Sequence, residues 1–189
     1  MNHLILGSGS PRRKELLAGL NLEFTVDKEN TFNEGPEPGV EAHRIPLDMA
    51  LGKSRGFHRP LGPDEVLLTA DTVVIVDGKV LGKPHSRQEA DRMLHLLSGR
   101  SHEVVTAVVI RDAGHEVSFT DSTRVDFLPL SQEQIDYYID NYKPFDKAGA
   151  YGVQEWIGYV GISGICGSFY NVMGLPVHKV AAALQDFLR

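Results

Sequence analysis

A single cysteine, Cys166, leaves this 189-residue chain no partner for an intramolecular disulfide and no thiolate cluster for a metal. Long hydrophobic runs are also missing. The apolar stretches fall far short of the ~20 residues that cross a bilayer, so no membrane span is predicted. The opening NHLIL has no cationic n-region, long apolar h-region or cleavage site, and a soluble cytoplasmic protein is expected. Positive charge is in deficit: 19 Lys and Arg face 25 Asp and Glu, for a net charge of −6. That argues against a nucleic-acid binder with a broad basic face, but a small anionic ligand needs only a local cationic cluster. The eight histidines are scattered without metal-ligand spacing. Neither G-x-x-x-x-G-K-S/T nor G-x-S-x-G occurs, which removes the P-loop and the nucleophile elbow.

A hydrophobic content of 42% can fill one sizeable core, so residues 1–189 are expected to form a single domain, in two lobes. His3–Leu6 reads as a strand. Ser10-Pro11 then reads as an N-cap with proline at the first helical position, and Leu16, Leu17 and Leu20 form an apolar stripe. A second strand is expected at Leu22–Val26, a mobile loop over Asp27–Arg44, and a helix from Pro46 to about Phe57. EVLLTADTVVIVDGKVLGKP is β-rich with a tight turn at Asp77-Gly78. Capping-box patterns at Ser86–Glu89 and Ser131–Gln134 open two helices, to about Leu97 and to just before Pro144. Two long strands joined around Asp112–Gly114 lie between them. A glycine-punctuated stretch of strand and loop follows, and a terminal helix runs from Pro176 to Leu188. This pattern predicts an α/β fold with a mixed, partly antiparallel sheet flanked by helices.

Four places could carry chemistry. LILGSGSPRRKELLAGL, from Leu4 to Leu20, stacks Arg12, Arg13 and Lys14 on a helix N-terminus, which is already electropositive. Ser8, Gly9 and Ser10 offer hydroxyls and open backbone there, a cradle for phosphate oxygens to which the arginines add bidentate forks. The same residues also suit a capped surface helix with solvated arginines. Asp71 sits among apolar β-formers, so it is expected to be partly buried and in need of a metal, a cation or hydrogen bonds. A strand-end Asp capping backbone N–H groups is the alternative. Lys53, Lys83 and Lys147 stand isolated; Lys83 in LGKP is expected near the loop carrying Asp71. Asp146–Gln154, DKAGAYGVQ, lets backbone approach a flat ligand, and the Gln154 amide suits the imide edge of uracil or thymine. A glycine-rich turn with an exposed glutamine is the plainer alternative. The tyrosines of IDYYIDNY read as a packed helix face, Trp156 as a core or interface anchor, and Cys166 as a packed side chain.

SGSPRRKELL, ADTVV, LGKP, LSGRSHEVVTAV, DKAGAYGVQ and NVMGLPV follow one another in this order, and together the chain resembles the Maf family of nucleoside triphosphate pyrophosphatases. The resemblance implies an elongated two-lobed α/β fold with a central cleft, related to inosine triphosphate pyrophosphatase, and a homodimer. Arg12, Thr72 and Gln154 look like the branch acting on dTTP and UTP, cleaving them to the monophosphate and pyrophosphate. Carried over by position, Asp71 matches the catalytic carboxylate. Arg12, Arg13, Lys53 and Lys83 match the phosphate-binding cations; Ser8 and Ser10 join them as substrate-binding candidates on the helix-start reading above. Glu34 matches the loop acid, with Glu29 as its rival. An Asp is a weak base at neutral pH, and cleavage between the α and β phosphates develops charge on the leaving pyrophosphate, so a divalent cation is expected: Mg²⁺ or Mn²⁺, with Co²⁺ admissible, held by Asp71 and Glu34 with Asp71 as proton acceptor. Gly52 departs from the family, where glutamate is frequent. A nucleotide-sensing regulator of septum formation without turnover is the rival function, and a link between pool sanitation and division arrest lets both coexist.

Overall fold

The computed structural model describes residues 2–33, 35 and 39–188. The strand β1 (His3–Leu6), buried from Leu4 onward, pairs in parallel with β2 (Phe24–Val26) on one side and β3 (Glu65–Val76) on the other. Further along lie β5 (Ser101–Arg111), β6 (Glu116–Phe127) and β7 (Ile162–Cys166), giving the order β2-β1-β3-β5-β6-β7. The short β4 (Lys79–Leu81) folds back antiparallel on the end of β3. Its turn residues Asp77 and Gly78 both take positive φ, 50° and 71°, as a two-residue hairpin turn requires. β7 pairs antiparallel with β6. The four residues 112–115 that join β5 to β6 are too few for anything but an antiparallel return. The sheet is mixed, as the sequence predicts.

Local chemistry explains the helices. In α1 (Pro11–Ala18), Ser10 caps the first turn by accepting from the Arg13 N–H, and Leu16 and Leu17 are buried. In α2 (Ile45–Arg55), Pro46, Met49, Ala50 and Ser54 form the buried stripe. α3 (Arg87–Leu97) is capped by Ser86, but the Glu89 carboxylate takes the His85 N–H rather than closing the box. α4 (Gln132–Tyr142) has the full reciprocal box between Ser131 and Gln134, and it ends on Lys143 in the left-handed region, just before Pro144.

The glycine-punctuated stretch departs from expectation. It holds two short helices, α5 (Trp156–Gly161) and α6 (Phe169–Met173), besides β7. The terminal helix α7 (Val177–Leu184) stops four residues early, in turns that bury Phe187. Cys166 is exposed rather than packed, because it ends the edge strand β7. Of the α4 tyrosines only Tyr138 is buried, while Tyr137 and Tyr142 are exposed. Trp156 is half-buried with its ring edge-on to Tyr137.

The chain divides into two compact units. The first comprises Met1–Asp71, Thr106–Asp121 and Gly174–Arg189. Its core includes Ile5, Phe57 and Leu67 with Leu61 against them, and Ala50, Ala107 and Val109 with Leu47 and Leu51. The second comprises Thr72–Val105 and Ser122–Met173. There Arg87 on α3 binds Asp136 and Asp140 on α4, and His102, Phe127 and Tyr151 form an edge-to-face aromatic cluster.

Candidate active site

In the first unit the helix start is built onto β3. Gly7 donates to the Leu68 carbonyl at 2.8 Å, and a Cβ there would stand 2.9 Å from Thr69 Cγ2, so only glycine allows this approach. Ser8 Oγ accepts from the Ser10 N–H and from Arg13 Nη1. Arg13 then reaches further. Its Nε donates to Gly174 O at 2.8 Å and its Nη1 to Ala70 O at 3.0 Å. It ties the α1 N-terminus to the residue before Asp71 and to the turn before α7. Ser8, Ser10 and Arg12 are half-buried at the same helix start.

Asp71 lies within the continuous strand β3 and not in a loop or at a strand end. Side chains two apart share a face of a strand, so Leu67, Thr69 and Asp71 point to one side. The Thr69 hydroxyl donates to Ala50 O on α2 at 2.9 Å, which brings the next turn of that helix over Asp71. From there Lys53 Nζ reaches Asp71 Oδ1 at 2.7 Å. The two side chains are only 15% and 17% exposed, so neither charge is solvated as a surface ion would be. Lys53, isolated in sequence, is thus an ion-pair partner. Arg111 on β5 fixes the end of α2 through Ser54 Oγ and O, both at 2.9 Å.

Residues 30–32 pack on α2. Asn30 Nδ2 donates to Lys53 O at 2.6 Å, Thr31 N donates to Gly56 O, and Phe32 lies on the glycines of α2. A Cβ at Gly52 would stand 2.3 Å from the Phe32 ring, so the aromatic fills the space that any larger residue there would need. Glu29 pairs with His58 at 3.4 Å, which also binds Asp27 at 2.9 Å. Glu34 lies outside the described residues. Among the described residues, no group of three His, Cys, Asp or Glu could hold a metal unaided.

In the second unit three motifs meet. Gly149 donates to the Gly82 carbonyl at 3.0 Å and, at φ 69°, lies so close to Val74 that a Cβ would stand 2.9 Å from its Cγ2. This joins DKAGA to LGKP and ADTVV. Lys83 is exposed and Thr72 half-buried. Gln154 is half-buried, and its Oε1 is enclosed without a hydrogen-bond partner among the described residues. Lys147 is buried and bound to Asp146 and Glu155 at 2.9 and 3.2 Å. Glu155 in turn accepts from the buried Tyr138 hydroxyl. Sequence reading missed the roles of Tyr138 and Glu155. The signal available was the buried face of α4 opposite a glycine-rich turn.

The family model described as "Maf-like protein" matches residues 3–187. A curated relative from Porphyromonas gingivalis, named dTTP/UTP pyrophosphatase, is 50% identical over 186 residues, covering 97% of this chain and 94% of its own. One from Phocaeicola vulgatus with the same name is 48% identical over 182 residues, covering 96% and 94%. Among solved structures, a HAM1 protein from Coxiella burnetii shares the fold with a TM-score of 0.52 at 14% identity, over 98% of this chain and 100% of that one.

Proposed function

We propose, from the premise that this chain belongs to the Maf family, that it is a hydrolase cleaving dTTP and UTP between the α and β phosphates. Near-full-length identity to relatives of that name carries the reading. Water adds across the anhydride, giving the nucleoside monophosphate and pyrophosphate. Asp71 takes the proton from that water, and the Lys53 ammonium holds its carboxylate in one orientation. Arg12 and Lys83 stabilise charge on the phosphates, with Ser8 and Ser10 donating from the helix start. Arg13 adds positive charge there while its bonds to Ala70 and Gly174 keep the helix start in register with β3.

The Asp71 carboxylate is a hard oxygen donor, which fits a divalent cation. Asp71 and Glu34 would hold it, with Mg²⁺ or Mn²⁺ favoured and Co²⁺ admissible. When bound, such an ion neutralises phosphate oxygens and acidifies water, which a carboxylate alone does weakly at neutral pH. Thr72 and Gln154 select the base. The half-buried Gln154 carries a donor and an acceptor on one planar amide, which suits the N3–H and carbonyl edge of uracil and thymine, whereas cytosine presents an acceptor in place of that N3–H. The same reading includes a cytoplasmic homodimer. A sensor without turnover is not favoured, since the relatives bear an enzyme's name.

A panel of nucleoside triphosphates with Mg²⁺, Mn²⁺ or Co²⁺, scored for pyrophosphate and orthophosphate, tests it. Pyrophosphate from dTTP and UTP ahead of CTP and the purines is expected. Orthophosphate alone, or no product, overturns it.

A further inference from the structure

Gln154 sits inside a tight turn whose two flanks are held by one phenol oxygen. Glu155 N donates to Gly152 O at 3.0 Å, closing the turn. The Tyr138 hydroxyl, on the fully buried face of α4, accepts from Gly152 N at 2.9 Å and donates to Glu155 Oε2. The other carboxylate oxygen of Glu155 faces Lys147 Nζ at 3.2 Å, and that ammonium also binds Asp146 at 2.9 Å. No side chain could intrude at Gly152, where a Cβ would stand 2.9 Å from Glu155 Cδ and 3.0 Å from Lys147 Cε.

Glu155 occupies the N-cap position of α5, yet its side chain makes no cap hydrogen bond and is committed to Tyr138 and Lys147 instead. A cap foregone and a lysine buried are both unfavourable for stability alone. What the arrangement secures is the backbone on either side of Gln154. Burial and the neighbouring carboxylate push the Tyr138 phenol pKa up, so the hydroxyl remains a donor at any physiological pH. Between the flanks, the Gln154 carbonyl oxygen stays enclosed without a partner among the described residues. A half-buried amide carried on a turn tied at both flanks is a preorganised binding group, because a ligand need not bear the cost of ordering that turn.

We propose that Tyr138 is a positioning residue for base selection: its hydroxyl bridges Gly152 and Glu155, and thereby presents the Gln154 amide already set for the pyrimidine edge. This rests on the reading that Gln154 meets the base of dTTP and UTP. Tyr138 acts through the turn and touches no substrate itself.

Tyr138→Phe keeps the ring and removes the bridge. It is expected to raise KM for dTTP and UTP about tenfold, to leave kcat within about twofold, and to lower the preference over CTP about tenfold. In a Gln154→Ala background the same change should have no further effect on preference, since the two act as one unit. Ile139→Val, a neighbouring core change on α4, should lower thermal stability and leave the preference intact. If Tyr138→Phe does not fold, Glu155→Ala makes the same test from the other end of the bridge, with the same expected loss. A folded Tyr138→Phe that retains wild-type KM and preference overturns the proposal. So does an equal loss of preference in Ile139→Val, or an undiminished Tyr138→Phe effect without Gln154. A wild-type protein that hydrolyses neither dTTP nor UTP overturns the functional reading itself, and this proposal with it.

Discussion

His102 shows how one buried side chain writes a pH dependence into the fold. It is 3% exposed, with Nε2 at 2.6 Å from the Tyr151 hydroxyl, and burial pushes its pKa down to about 4 from the ordinary 6.5. Between those values the unfolded chain binds a proton that the folded chain refuses. The contribution is therefore complete above pH 6.5, declines as the pH falls, and levels off below 4. Denaturant titrations should show about 2 kcal/mol less stability at pH 5 than at pH 7 from this group. Glu65, held at about 2 by Arg59 and the Gly62 N–H, loses its share only below its ordinary 4.5, so the two windows separate. His102→Gln should flatten the upper window; an unchanged slope would remove His102 as its source. At this scale the sequence marks residues better than their bonds. Asp71 stood out as a carboxylate among β-formers, but nothing in its neighbours pointed to Lys53, 18 positions away, or to Arg13 on the carbonyl of Ala70. Such partners are made by packing, and no periodicity encodes them.

Elements divide along the same line. Strand β1, the Ser10-Pro11 start of α1, the Asp77-Gly78 turn and the Ser131–Gln134 box were legible because their determinants are local. The helices α5 and α6, of six and five residues, were not. Helices that short form only where tertiary contacts hold them, and their glycines read as loop. Strand β3 was legible at both ends but not through its middle, since Asp71-Thr72 resembles a break while the strand runs on across it. Gly52 belongs to this scale too. It is a helix position given over to Phe32, whose ring would meet a Cβ at 2.3 Å. Gly52→Ala should destabilise the protein by about 1–3 kcal/mol through overpacking. Adding Phe32→Ala should recover most of that loss in thermal unfolding. Additive losses would show that the two side chains do not compete for the same space.

For the whole molecule, the acidic balance and absent membrane signal narrowed the class, and six ordered motifs carried the family resemblance. The reaction proposed here needs a divalent cation. Chelation with EDTA should abolish pyrophosphate release from dTTP, and excess Mg²⁺ or Mn²⁺ should restore it. Full activity in the chelator would remove the ion from the mechanism. The proposed reaction turns most on Asp71, a carboxylate fixed by Lys53 within β3. Its most direct test is Asp71→Asn, assayed for pyrophosphate release from dTTP and for thermal unfolding on the same preparation. The variant should unfold cooperatively as the wild type does, with turnover at least about 100-fold lower, as expected when a proton acceptor is removed. Wild-type turnover by that variant would contradict the account.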